Sequence, residues 1–540
     1  MSRKQGIIVS ITGIVLVSLM LIGLTYGYFL TRINGNTNTK SISVKTANLA
    51  LVYGDGNGVL EVGEVLSPGD TVKFKTAGGD TVDKKTFTVT NEGNAKTDYV
   101  VVIEDVKVTY TATVVVDGET HTAGTSTTFQ SNDFVYKLTC TSGCNGVDKE
   151  TTFPINGGIL VGNSIDVGEE QTYELSMTYL ETGLDQSSDM NKTMTARVNI
   201  KDISTINPYS SSTNSLAYNI INNAILKTNG IELLVTPKTL PAKDTSLDTE
   251  ASLNITNDEL GTSYYYRGAV EDNYLQFNNM CWRIVRIEGD GAIKITLAAQ
   301  KKCSEITSSD TGTAFIGTGH YGVTADYVTN SSGATSSSKK YVADYVNGQT
   351  NNTTSMKYKL EAWLTSSGID TSKLKEDNWC LGNTTDPYNN SGTLLTSTVN
   401  DLMYNGTSFY YDTFVRLDGK GQTANATLRC DGKNYKTHKS YIGALTADEV
   451  VFAGGTAGTP NPNYYLTANA SSDWWTLSPS RFDAGIDCAF YVYNNVYSNG
   501  VVLNDHVSGN SYSLRPAVSL ASGTVITGGN GTQTNPYVVG

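Results

Sequence analysis

Between residues 41 and 203, apolar and β-branched residues alternate with polar ones in short runs: 41–53, 84–91, 98–117, 134–140, 171–180 and 194–200. Period-two alternation sends successive side chains to opposite faces of a strand. Asp117-Gly118 supplies a hairpin turn. Turn-punctuated strands at this spacing predict an antiparallel β-sandwich over 36–203. The period then changes. In 215–230, Leu216, Ile220, Ile221, Ala224 and Ile225 fall on one helical face, with Asn214 or Ser215 as cap and Gly230 as stop. This helix belongs to a predicted connector, 204–262, whose remainder is polar and turn-rich.

From residue 263 a second pattern predicts an α+β domain reaching 540. Residues 264–300 form a strand pair around the turn 288–291, with Trp282, Ile284 and Arg286 alternating against Arg283, Val285 and Ile287. Residues 308–339 are low-complexity Ser/Thr/Gly, an exposed insertion. Helices are predicted after Ser355, with Met356, Leu360, Trp363 and Leu364 on one side, and after Thr446. Asp448 and Glu449 then sit in a first turn, where the macrodipole favours carboxylates. Adjacent helical residues point about 100° apart, which argues against a catalytic pair. The fold class is mainly β with an α+β C-terminal domain.

At the N-terminus the alternation is replaced by an uncharged run, 6–31, behind Arg3 and Lys4. Its length suits a membrane-spanning helix, so residues 1–35 are expected to be a signal or anchor segment with everything after it outside the cell. Thr25-Tyr26-Gly27 is a small-x-small cleavage site, which leaves two states, tethered or secreted after cleavage. Either way the chain is exported. Seven cysteines then read as disulfide chemistry. Cys140 and Cys144 can close a tight loop. Cys281, Cys303, Cys380 and Cys430 allow three pairings, with sequence neighbours favoured. Cys488 is left over. No CxxC occurs and His121, His320, His438 and His506 are scattered, so neither a metal nor a cofactor is expected.

Charge narrows the partners. Lys and Arg number 39 against 52 Asp and Glu, giving a net charge of −13 over 540 residues, with no basic stripe for nucleic acid. GxSxG, HExxH and P-loop motifs are absent, so the expectation is a protein that is not an enzyme. The stretch 474–520 is the chemically distinctive one. It opens on Trp474-Trp475, closes after Arg515-Pro516, and is rich in Tyr, Asn, Ser and Asp without Lys, Glu, Gln or Met. Tyr brings large, stiff contact area and Asn and Ser adaptable hydrogen bonds, as in binding loops. The candidate contacts are Arg481, Phe482, Asp483, Asp487, Tyr491, Tyr493, Asn494, Asn495, Tyr497, Asn504, Asp505, His506, Asn510 and Tyr512, with Val492, Val501, Val502 and Leu503 assigned to core. Tyr-rich strands of an ordinary extracellular β domain are the alternative.

Two resemblances extend this reading. A leader ending in TYGYF, the strand LALVY, then LSPGD and FTVTNEGNAKTDYVVVI resemble the TasA/camelysin-type surface proteins of Gram-positive bacteria, over about 7–203. The resemblance implies a cleaved leader and a sandwich able to assemble into fibres. The long C-terminal extension departs from that family. In turn, FNNMCWRIVRIEGDG, MKYKLEAWL, NWC, ALTADEVVFAGG, WWTLSPS and LRPAVSL resemble, in order, a domain of Gram-positive surface proteins similar to the C-type-lectin-like and formylglycine-generating-enzyme folds, over about 264–540. This implies that Trp474, Trp475, Leu477, Pro479, Arg515 and Pro516 are frame and that 480–513 is displayed. Some proteins of that fold are diversity-generating retroelement targets, whose adenine rewriting excludes Lys, Glu, Gln, Met and Trp. Residues 480–513 lack all five, as do 450–473. The Glu-Pro-Asn and Trp-Asn-Asp sugar motifs of animal lectins do not occur. The expected partner is an extracellular protein or glycan, with a fibre or biofilm-matrix subunit as the alternative role.

Overall fold

The computed structural model describes residues 81–540 with short interruptions, the longest being 181–191, 233–250, 346–352, 419–425 and 494–500. Before residue 81 it describes 44–46, 49–55, 60–61, 71 and 74–75. The N-terminal apolar run expected as a membrane segment lies outside the described residues. Among those residues no helix is long and apolar enough to cross a membrane. The chain divides into two compact units. The first holds the described residues up to 200 apart from 98–101 and 159–164; the second holds those two segments and the chain from 201 onward.

The first unit is β throughout. One antiparallel sheet runs in the order Val44–Thr46, Leu49–Asp55, Lys85–Asn91, Glu170–Tyr179, Phe134–Ser142, Asp148–Thr152. A second joins Ser126–Thr127, Thr97–Tyr110, Lys192–Asp202 and Leu60–Glu61. The alternation read in the sequence is the alternation of burial. Phe87 and Val89 are inside while Thr86, Thr88 and Thr90 are half-exposed, and Phe87 stacks on Tyr173 at 5.2 Å. Cys140 and Cys144 are bonded.

The second unit is built on a ten-stranded sheet. Its main path is Ile231–Glu232, Ala251–Asp258, Gly261–Gly268, Met280–Ile287, Tyr274–Phe277, Tyr537–Val539 and Ile526–Gly528. Ile293–Ala299 pairs with Met280–Ile287 on one side and with Ala517–Leu520 on the other. The turn expected at 288–291 is present: Gly291 N–H donates to Glu288 O at 2.8 Å, and Gly291 has φ +85°, which glycine adopts without strain. The alternation in 280–287 does not become an exposed face, because all eight residues are buried. Helix Ala447–Ala453, also buried along its whole length, packs near one side, with Phe452 edge-on to Tyr265 at 4.7 Å.

An eight-stranded sheet carries the distinctive stretch, in the order Thr318–Gly319, Tyr512–Ser513, Trp474–Asp483, Ile486–Tyr493, Lys340–Tyr341, Ala325–Asp326, with Phe409–Tyr410 on Trp474–Asp483 and Val501–His506 on Ile486–Tyr493. The 204–262 segment contributes a helix, Leu216–Leu226, and the strand Ala251–Asp258 to this unit. The helix is fastened to the chain's last residues: Leu216 N–H donates to Thr524 O at 2.7 Å and Ile526 N–H to Asn214 O at 3.0 Å.

Cys281–Cys303 and Cys380–Cys430 complete three disulfides, which fit an oxidising, extracellular environment. Cys281 and Cys303 are fully buried among Tyr274, Ala298, Ala299 and Ile306. Their bridge closes a short loop in the unfolded chain, and replacing both by alanine is expected to cost about 3 kcal/mol. Urea unfolding followed by tryptophan fluorescence checks this, since all five tryptophans lie at or after residue 282 and report the second unit.

Candidate functional site

The strand Trp474–Asp483 begins as core. Residues 474–480 are all buried, then burial alternates, leaving Arg481 and Asp483 partly exposed around a buried Phe482. The residues expected to be frame are frame: Trp474, Trp475, Leu477, Pro479, Arg515 and Pro516 are buried. Trp475 donates its indole N–H to Gly319 O at 2.9 Å. Arg515 donates to Leu297 O and Leu466 O.

Three expected contacts are corrected. Phe482 is fully buried and stacks on Phe409 at 5.5 Å, within a cluster with Val328, Leu402, Met403 and Tyr411. Asp487 is fully buried and accepts from the Tyr411 hydroxyl at 2.9 Å. Tyr491 is 7% exposed and stacked on Tyr512 at 4.4 Å. Phe482 lies on the covered face of its strand, and Asp487 and Tyr491 lie in 487–492, buried on both faces, which composition alone does not identify. Val492, assigned to core, is buried.

Arg481 and Asp483 remain at the surface with Tyr512 half-buried; Arg481 Nη2 lies 3.6 Å from Asp483 Oδ2, and Ser408 donates to Asp483 at 3.0 Å. Tyr493, Asn504, Asp505 and His506 occupy strand positions, with Phe490 opposite Asn504 and Cys488 opposite His506, but their side chains lie outside the description. So do Asn494, Asn495, Tyr497 and Asn510 altogether. The leftover Cys488 is buried and unbridged, and burial pushes its thiol up to about 11.

The structure also holds a narrow cleft, partly open to solvent, that no sequence motif marks; its lining includes Cys380, Cys430, Arg286, Glu288, Lys294 and Asp377. Lys294 Nζ stands 3.1 Å from Glu449, 3.3 Å from Glu288 and 3.6 Å from Asp377. Arg286 reaches Asp258 at 2.6 Å and Glu449 at 3.1 Å. Lys375 meets Glu288 at 2.7 Å and Asp377 at 3.2 Å. Ser519 donates to Asp377 at 2.9 Å. Arg416 holds Asp448 in a two-point contact, and Asp448 also accepts from Thr427 N–H. Asp448 and Glu449 are therefore engaged by different cations, while Glu449 also closes the capping box with Thr446.

Electrostatics follow from this packing. Burial works to raise Asp377 and Glu449, but Lys294, with Lys375 beside Asp377 and Arg286 beside Glu449, holds both below the ordinary carboxylate range. Burial wins at Glu288, which is raised. Burial works to lower Lys294; its three carboxylates raise it. The charges lining the cleft are paired with one another, and the sequence shows only Arg286 and Lys294 at strand positions between apolar residues, a pattern shared with solvent-facing cations. Among the described residues no group of His, Cys, Asp and Glu is placed to hold a metal ion.

No family model matches the chain. No curated protein matches it. Among solved structures, one described as "AvmM Catalyzes Macrocyclization in Alchivemycin A Biosynthesis" is similar at 12% identity over 26% of this chain and 74% of its own, with a TM-score of 0.13. A score that low carries no argument about this chain.

Proposed function

We propose that this is an exported, surface-displayed protein whose C-terminal unit binds an extracellular protein or glycan. The observation that carries the reading is the contrast inside 474–516. Trp474, Trp475 and Arg515 are wholly buried and fix the ends, while Arg481 and Asp483 are partly exposed where the strand turns back. A rigid frame presenting a few polar and aromatic groups is what recognition needs, because little ordering cost remains at binding. The lectin-like resemblance, the three disulfides and the uncharged N-terminal run agree with display outside the cell, tethered or released. Retroelement diversification of 480–513 is a finer form of the same proposal. A binding role is favoured over catalysis because the buried acids and bases of the cleft are engaged with one another rather than aimed at a reacting atom.

Glycan and surface-protein arrays probed with the whole exported chain test this. Arg481→Ala combined with Asp483→Ala is expected to weaken binding at least about tenfold while shifting the melting temperature only slightly, since a partly exposed pair adds little stability. Unchanged affinity in that variant, or no binding on either array, sinks the reading. The alternative is a fibre subunit. Its supporting observation is that, among the described residues, the six-stranded sheet of the first unit ends on Asp148–Thr152, paired on one side only. That alternative predicts growing light scattering with concentration.

A further inference from the structure

Arg515 carries a positive charge into the fully buried interior of the second unit, 0% exposed. Arg286, also buried, meets carboxylates at 2.6 and 3.1 Å. Arg515 meets none among the described residues. Its Nε donates to Leu297 O at 3.0 Å and its Nη1 to Leu466 O at 2.5 Å. Its Nη2 has no partner. The guanidinium lies 5.4 Å from the Trp474 ring. A second buried guanidinium, Arg283, lies 5.2 Å from the ring of Tyr465, the residue before Leu466. Burial, with Arg283 repelling it, lowers Arg515 to about 10, so it stays cationic at neutral pH.

Two neighbouring residues also carry unpartnered buried polar atoms: Trp474, whose ring lies beside the guanidinium, at its indole N–H, and Tyr465, which acts electrostatically on Arg515, at its hydroxyl. Each residue is 3% exposed or less. Buried polar atoms are nearly always hydrogen-bonded, and a buried charge is nearly always neutralised. Two carbonyl dipoles and an indole face offset part of a guanidinium's charge, but not all of it. A neutral water would satisfy one N–H and leave the charge. A small anion would do both.

We propose that a monovalent anion of chloride size is bound inside the second unit against Arg515 Nη2, with the Trp474 indole N–H and the Tyr465 hydroxyl as flanking donors. The ion is enclosed as the fold forms and acts as the counter-ion that Arg515 lacks. It links the strand Trp474–Asp483, the Arg515-Pro516 segment and the segment around Leu466.

Crystals of the whole chain grown in bromide are expected to show an anomalous peak within hydrogen-bond reach of Arg515 Nη2. In solution, the melting temperature of the second unit is expected to rise and saturate with chloride at constant ionic strength, with gluconate as the replaced ion. Arg515→Met is expected to abolish that chloride dependence whatever it does to stability. If Arg515→Met does not fold, Tyr465→Phe keeps the core volume and is expected to shift the chloride midpoint several-fold upward. Absence of a bromide peak, or identical melting in chloride and gluconate, overturns the proposal and assigns Nη2 to water.

Discussion

Lys294→Met is expected to destabilise the second unit by about 3–5 kcal/mol. The lysine is 5% exposed and stands against Glu449, Glu288 and Asp377, with its ammonium 4.7 Å from the Trp379 ring. Methionine fills similar volume, so the loss is electrostatic: three buried carboxylates would keep only Arg286 and Lys375. The pH dependence separates this from a packing defect. In the native protein Asp377 and Glu449 titrate below their ordinary values. Carboxylates depressed in this way add stability that is complete above the unfolded value near 4 and is lost as pH falls through the folded one. Removing Lys294 raises them, and a raised carboxylate loses stability as pH rises. The deficit of the variant is therefore expected to shrink near pH 4–5 and to be full at pH 7. Urea midpoints by tryptophan fluorescence at both pH values check it, and an equal deficit at the two contradicts the electrostatic account.

Trp475→Ala is expected to cost a similar amount, about 3–5 kcal/mol, for a different reason. The ring is fully buried, edge-on to Tyr321 and Tyr491 at 6.0 Å and tilted against Tyr512 at 4.8 Å. Truncation leaves a cavity and strands Gly319 O, which now accepts the indole N–H. The effect reaches beyond stability, because the Tyr491–Tyr512 stack rests on this ring at the base of the proposed recognition stretch. Ligand affinity is expected to fall along with the unfolding midpoint. Trp475→Phe is expected to recover most of the stability, and a truncation costing under about 1 kcal/mol would mean the site collapses around the gap.

Sequence and structure agree where one local rule decides. Ser355 accepts from Tyr358 N–H as the expected cap, and Thr446 with Glu449 forms a capping box. The favoured disulfide partners are bonded, since neighbours in these strand-and-turn segments stay close in space. Period-two alternation found the strands of the first unit because each has one face inside. It does not say that 474–480 is covered on both faces, nor which face of 481–483 is covered, so Phe482 passes for a contact although Phe409 lies against it. The ion network was illegible for a related reason. Arg286 and Lys294 alternate with apolar residues just as solvent-facing cations do, and only the helix carrying Glu449 and the strand carrying Asp377 reveal that their face is closed.

The helix Leu216–Leu226 is made long before its fastening. Its first turn is held by Thr524, and Asn223 donates to the Tyr537 hydroxyl. At ~5–20 residues per second, the ribosome needs on the order of 15–60 s to reach that tail. Through this interval the helix lacks these bonds, and the sheet strand Tyr274–Phe277 lacks its parallel neighbour Tyr537–Val539. A nascent chain of this design completes the hydrogen bonding of its second unit only once residues 524–539 have been made.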